Sequence, residues 1–246
     1  MNVAIVGYGR MGKELEKVLK DKKIEVSAII DKFADGVKFK ELDKISLKNV
    51  DVAIDFSMPQ SVIENIKIYA ENNVSVVMGT TGWYNAIDEA KKIVGNRIGF
   101  IRSGNFSLGV NIFFRIIKES ARIFNRFEEY DPMAYEIHHN QKQDSPSGTA
   151  KMIGKILLNE IGRKNKIVED KLDRKINEKE IHFSSIRGGN IPGTHVVMFD
   201  SEADTIELRH TARNRHGLAL GAVLACKWIC GKKGFYSIDD MMNSII

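Results

Sequence analysis

Residues 136–152, EIHHNQKQDSPSGTAKM, crowd His138, His139, Lys142 and Asp144 against a Ser-Pro-Ser-Gly-Thr turn that runs into an apolar, helical stretch. A histidine titrates near pH 6.5, so it can give up a proton at neutral pH when a nearby anion stabilises its charged form. Lys142 adds a fixed positive charge. Beyond Asp144, Ser145 reads as a helix N-cap and Pro146 as a first-turn residue, with Met152, Ile153, Ile156 and Leu157 forming the apolar side. Ser147, Gly148 and Thr149 then fall in the first turn, where free amides, two hydroxyls and the helix dipole make a seat for a carboxylate. His138 and His139 end a strand, and neighbouring strand residues face opposite ways, so the pair divides its tasks: one donates a proton while the other, with Lys142, holds substrate charge. His138, His139 and Asp144 are also metal-binding types. Their spacing matches no common zinc arrangement, however, and Lys142 repels a cation, so no metal is expected.

A second chemical segment lies at the start of the chain. VAIVGYGRMG places Gly7, Gly9 and Gly12 in G-x-G-x-x-G order after a strand, with Arg10 and Met11 opening a helix. The glycines permit a tight turn, close approach of the backbone to a pyrophosphate, and close helix packing. Asp31 ends the next strand, where a carboxylate accepts hydrogen bonds from an adenosine ribose; Lys32 beside it suits a 2′-phosphate. Use of both NADH and NADPH is therefore expected. Gly79, Thr80 and Thr81 in MGTTGW, and Asn105 and Phe106 in SGNFSLG, follow later strands, at the edge where ligands gather in an open α/β sheet.

The elements that must position these residues change character partway along the chain. Strands at 2–6, 25–30, 50–56, 74–79 and 98–103 alternate with helices at 10–20, 59–73 and 86–94, as a parallel sheet flanked by helices requires. After a helix at 112–126 come strands at 134–138, 180–186, 194–199 and 205–210, with one helix at 147–161 among them. That is a mixed or antiparallel sheet. Residues 163–179 read as a charged loop with weak helix, and 216–231 as a last apolar helix. The fold class is α/β, a Rossmann-type dinucleotide domain with an inserted α+β domain on a mixed sheet. The expected division is 1–109 plus 216–246 for the nucleotide domain and 110–215 for the substrate domain, with hinges near Gly109 and Arg215.

Composition narrows the partners. With 246 residues, 43% hydrophobic, the chain can bury a sizeable core. Its 37 basic and 32 acidic residues leave a net charge of +5, but the charges are interspersed, which suits a small anionic ligand better than nucleic acid. The N-terminus lacks the order of a signal peptide, and no apolar run is long enough to span a membrane, so a cytoplasmic protein is expected. Cys226 and Cys230, four apart in a helical pattern, read as reduced core residues.

The stretch EIHHNQKQDSPSGTA resembles the signature of the dihydrodipicolinate reductase family, E-x-H-H-x-x-K-x-D-[AS]-P-S-G-T-A. GYGRMG, DFSMP, GTTG, NFSLGVN, IRGGNIPGTH and RHTARNRHGLALGA occur in the family's order. The resemblance implies NAD(P)H-dependent reduction of a cyclic dicarboxylate, 4-hydroxy-tetrahydrodipicolinate, in lysine and diaminopimelate biosynthesis, and a homotetramer. It also implies His138 as general acid, His139 and Lys142 as substrate contacts, Ser147, Gly148 and Thr149 as the carboxylate loop, and Gly79, Thr80 and Thr81 as a cofactor loop. The first glycine loop is one residue shorter than in many members. Two rival readings are a related two-domain dehydrogenase acting on an amino-acid semialdehyde or imine, and a dinucleotide-binding redox sensor with inert histidines.

Overall fold

The computed structural model describes all 246 residues, which divide into two compact units, 1–108 with 215–246 and 109–214. The first unit is built on six strands: β1 (Asn2–Val6), β2 (Glu25–Ile30), β3 (Val52–Asp55), β4 (Ser75–Met78), β5 (Gly99–Arg102) and β11 (Gly234–Ser237). Their order is β11-β5-β4-β3-β1-β2, every pairing parallel. The central strands β3 and β4 are buried at every residue, as expected of a sheet covered on both faces. Helices α2 (Val62–Glu71) and α3 (Ile87–Val94) pack one face with Ile66, Tyr69, Ala90 and Val94. Helices α1 (Arg10–Asp21), α6 (His216–Ile229) and α7 (Ile238–Ile245) pack the other with Leu15, Leu19, Ala222, Ile229 and Met241.

The second unit carries a five-stranded mixed sheet of β6 (Asp131–His138), β7 (Lys166–Val168), β8 (Glu180–Arg187), β9 (Thr194–Asp200) and β10 (Thr205–Thr211), in the order β10-β9-β6-β8-β7. Helices α4 (Leu108–Phe124) and α5 (Gly148–Glu160) cover one face, where Phe113, Ile117, Ile153 and Leu157 meet Ala134, Phe183, Val197 and Phe199. The opposite face shows Met133, Tyr135, Ile137 and Met198 half-buried and Ile186 exposed.

Four expectations change. The segment 163–179 holds no helix but a three-residue edge strand, β7; Lys164 anchors it, its buried ammonium donating to Asp131 and to the carbonyls of Glu178 and Glu180. The C-terminus adds β11 and α7, which share only twelve residues and show too little periodicity to be read from sequence. Cys226 is buried but Cys230 is exposed, because α6 ends at Ile229. Helix α5 starts later than expected: its N-cap is Ser147, whose hydroxyl accepts from the Ala150 amide, and not Ser145.

Candidate active site

The chemistry of residues 136–152 is assembled by strand register. In β6, Glu136 and His138 are two apart and so share a face. Glu136 pairs with Ser185 of β8 and His195 of β9, and His138 pairs with Arg187 of β8. Three neighbouring strands thus bring Glu136, His138, Ser185, Arg187 and His195 to one end of the face that α4 and α5 cover. The start of α5 closes the group.

Glu136, fully buried, is the hub. Its Oε1 accepts from the Ser147 amide at 2.9 Å, the Ser185 hydroxyl at 2.9 Å and Arg187 Nη2 at 2.8 Å. Its Oε2 accepts the Ser147 hydroxyl and lies 3.3 Å from both His138 Nδ1 and His195 Nε2. Burial alone would push this carboxyl up, but the bonds from His195, Ser147 and Arg187 hold it well below the usual carboxylate range. Arg187 Nη2 also reaches the Asp144 carbonyl at 2.7 Å, tying the turn to the strand. A carboxylate and two imidazoles are cation-binding types, but this carboxylate already takes donors on both oxygens, one a guanidinium. A dication would have to displace them.

His138 is 6% exposed, and its pKa is pushed down to about 4, chiefly by burial, against the pull of Glu136. The imidazole is therefore neutral at pH 7 in the ligand-free protein. His139 lies just past the end of β6 and is half-buried, its amide bound to the Ile191 carbonyl at 2.8 Å. Lys142 Nζ meets Asp144 Oδ1 at 2.6 Å.

The helix start is only partly available to a ligand. Ser147 spends its amide and its hydroxyl proton on Glu136, which a first-turn position did not foretell. Gly148 and Thr149 remain: their amides precede the first intrahelical donor, the Lys151 amide, which bonds the Ser147 carbonyl, and a side-chain atom at Gly148 would meet nothing within 4 Å. These two residues, with His138, His139 and Lys142, are the ligand-facing candidates of this unit. Glu136, Ser185 and His195 are residues that the sequence motifs did not single out, whereas Arg187 was legible from IRGGNIPGTH only as a residue near the substrate-facing strand. The signals were present in the two-residue step from Glu136 to His138 and in the polar pattern of SSIRGGNIPGTH.

The first unit holds the other expected residues. Gly7 has φ +89°, and a Cβ there would stand 2.3 Å from the Phe56 carbonyl; one at Gly12 would stand 2.3 Å from the Gly7 carbonyl. Gly9 caps α1 without a side-chain hydrogen bond, and nothing lies within 4 Å of where its Cβ would be. Open space in front of the free amides of Arg10 and Met11 fits a pyrophosphate. Asp31 fastens this loop: its Oδ2 accepts the Tyr8 amide at 2.6 Å, and its Oδ1 accepts those of Phe33 and Ala34, both at 2.8 Å. Burial raises its pKa, but these three amides and Lys40 outweigh that and hold it below the usual value. Lys32 is exposed, its ammonium 5.9 Å from the Phe33 ring, and Lys40 Nζ binds the Ala34 carbonyl at 2.6 Å. Lys40 is a cation at this corner that sequence spacing did not single out.

At the far strands, Gly79 lies against the Phe56 ring, and Thr80 spends its hydroxyl on buried Asp55 at 3.1 Å, which leaves exposed Thr81 as the outward group of the loop. Asn105 Oδ1 accepts the Ser107 amide at 2.8 Å. Phe106 is a correction: its ring is 1% exposed in the core, so only its backbone is available to a ligand.

A parallel sheet opening on a glycine loop, and a mixed-sheet unit with a buried histidine beside an open helix start, are the features of a two-domain, nicotinamide-dependent oxidoreductase. Comparison narrows the class. The sequence profile for the dihydrodipicolinate reductase N-terminus matches residues 1–106, and that for its C-terminus matches residues 109–242. The 4-hydroxy-tetrahydrodipicolinate reductase of Christiangramia forsetii is 38% identical, covering 100% of this chain and 99% of its own. That of Methanoregula boonei is 37% identical, covering 96% and 94%. The chain belongs to the dihydrodipicolinate reductase family. A solved dipicolinate-bound dihydrodipicolinate reductase from Paenisporosarcina sp. TG-14 shares the fold, with TM-score 0.79 at 24% identity over 98% of each chain. No helix is long and apolar enough to cross a membrane.

Proposed function

We propose that this chain catalyses the NAD(P)H-dependent reduction of 4-hydroxy-tetrahydrodipicolinate to tetrahydrodipicolinate, in lysine and diaminopimelate biosynthesis. The observation that carries the proposal is the fastening of an open helix start, Gly148 and Thr149, to the strand bearing His138 through Glu136 and Ser147, with Lys142 on the turn between. An anion seat, a cation and a titratable group then meet around one small dianion. The reaction removes the 4-hydroxyl as water and adds a hydride and a proton. The reduced nicotinamide, when bound, supplies the hydride. Gly7, Gly9, Arg10, Met11 and Gly12 would hold its pyrophosphate, Asp31 and Lys32 its adenosine side, and Gly79, Thr80, Thr81, Asn105 and the Phe106 backbone its nicotinamide side.

The residues of the second unit orient and protonate. The amides of Gly148 and Thr149 take one substrate carboxylate, and Lys142 with His139 takes the other. Both draw electrons from the conjugated ring and so ease hydride arrival. His138, through Nε2, donates the proton to the enamine-like carbon.

The test is oxidation of NADH and of NADPH with the condensation product of pyruvate and aspartate semialdehyde. Turnover with both cofactors is expected, because Asp31 suits a free ribose while Lys32 and Lys40 suit a 2′-phosphate. Tight NADH binding with no turnover of any imine would instead favour a redox sensor. A second expected result follows from Gly193, where a Cβ would stand 2.9 Å from His138 Nε2. Gly193→Ala should displace the ring and lower turnover by about 10²-fold. Near-normal turnover in that variant would mean that Nε2 is not the reacting nitrogen.

A homotetramer in the cytoplasm is part of the same reading. The half-buried row Met133, Tyr135, Ile137 and Met198 with exposed Ile186 supports association through the uncovered sheet face. The absence of a helix able to span a membrane is consistent with a cytoplasmic location.

A further inference from the structure

We propose that Glu136 is a positioning residue for His138: its carboxylate keeps a proton on Nδ1 and so leaves Nε2 as the nitrogen that exchanges a proton with the bound ring. The inference rests on the reading of His138 as the proton donor and adds what sets that donor's tautomer and proton affinity.

The geometry leaves Nδ1 no other partner. It is shut off from solvent with no well-aligned hydrogen bond, and the nearest acceptor is Glu136 Oε2 at 3.3 Å. Catalytic hydrogen bonds are often loose before the substrate arrives and tighten with it. A bare lone pair on Nδ1 facing an ionised carboxylate oxygen would be repelled, whereas an N–H there is attracted, so the neutral ring carries its proton on Nδ1.

Glu136 can do this because it cannot move. Its Oε1 is fixed by Ser147, Ser185 and Arg187, from a helix start and a neighbouring strand. On Oε2, the Ser147 hydroxyl gives its only proton to the carboxylate, so His195 Nε2, 3.2 Å from Ser147 Oγ and 3.3 Å from Oε2, must be the donor in that contact. His195 is thereby held as the Nε2–H tautomer, opposite to that of His138, and its ring lies edge-on to His138 with centroids 5.2 Å apart.

Four charged or titratable groups face His138. Glu136, on its own strand, favours the imidazolium. His195 on β9, Lys142 on the turn and Arg187 on β8 oppose it. Of these four, Glu136 is the anion and the one that acts for protonation, and a dianionic ring would add to its effect. Removing its charge leaves three opposing groups.

The test joins a spectroscopic and a kinetic measurement on the full-length protein. In protein labelled with ¹⁵N-histidine, long-range ¹H–¹⁵N correlation at pH 7 should show His138 as the neutral Nδ1–H tautomer, its signals assigned by their loss in His138→Gln. An Nε2–H pattern would overturn the proposal, and this measurement needs no folded Glu136 variant. Glu136→Gln, which keeps the shape and loses the charge, should lower kcat at least tenfold with KM within about twofold, and move the alkaline limb of the kcat profile at least one pH unit toward acid. A limb that stays in place overturns the proposal even if kcat falls, because a merely structural role would not move it. If His138→Gln retains full turnover, the proton-donor reading fails instead. If His138→Gln collapses turnover but the tautomer or the limb does not follow, only the role of Glu136 fails.

Discussion

His138→Gln is expected to lower turnover by about 10²-fold or more while KM changes little, the range found when an acid–base group is lost. Glutamine approximates the ring's polarity but cannot donate a proton at neutral pH, and Gly148, Thr149 and Lys142 would still hold the substrate. Steady-state kinetics with turnover within a few-fold of the unaltered protein would reject the role. The pH dependence adds a signed expectation. In the ligand-free protein burial pushes His138 down to about 4, and the protonated form is the donor, so activity is lost on the alkaline side. A dianion beside the ring raises its pKa. The profile of kcat/KM, which reports free protein, should therefore fall at lower pH than that of kcat, which reports the complex. For the same reason, binding pyridine-2,6-dicarboxylate at pH 7 should take up protons, measurable by titration calorimetry in buffers of different ionisation enthalpy. Proton release would contradict the assignment.

Lys142→Ala is expected to raise KM and lower kcat together, with kcat/KM falling by about tenfold to 10²-fold, the scale of one hydrogen bond to a charged group at about 1.5–3 kcal/mol. In the ligand-free protein the ammonium is held by Asp144 at 2.6 Å, and it is this bond, first among the causes, that draws the Asp144 carboxyl below its usual value. The substrate must share or take over that ammonium. Truncating Lys142 leaves Asp144 as an unpaired anion near an incoming dianion, which adds repulsion to the loss of the ammonium. The double variant Lys142→Ala/Asp144→Ala separates the two effects: affinity that stays lost belongs to the missing ammonium, and affinity that returns belonged to Asp144. A defect confined to cofactor affinity would contradict a place for Lys142 against the substrate.

The local code of this chain was legible. Strand and helix periods placed β1 to β5, α1 and β6 within a few residues, because each is a run whose apolar spacing alone decides which face is buried. Gly7 and Gly12 were legible as well, since a position where a Cβ would meet a carbonyl at 2.3 Å admits little else. Short terminal elements were not: β11 is stabilised by pairing with β5, a neighbour more than a hundred residues away in the chain. The site divides in the same way. His138, His139, Lys142 and the helix start are adjacent in sequence, and their residue types announce proton transfer and anion binding. Tertiary structure alone decided that Ser147 serves Glu136 and that Thr80 serves Asp55. It alone decided that Ser185, Arg187 and His195, drawn from two other strands, set the charge around His138. The physical reason is that sequence spacing fixes which side of a strand a residue occupies, while the partner across the ladder, and hence where each buried proton and charge is satisfied, depends on register between segments far apart in the chain.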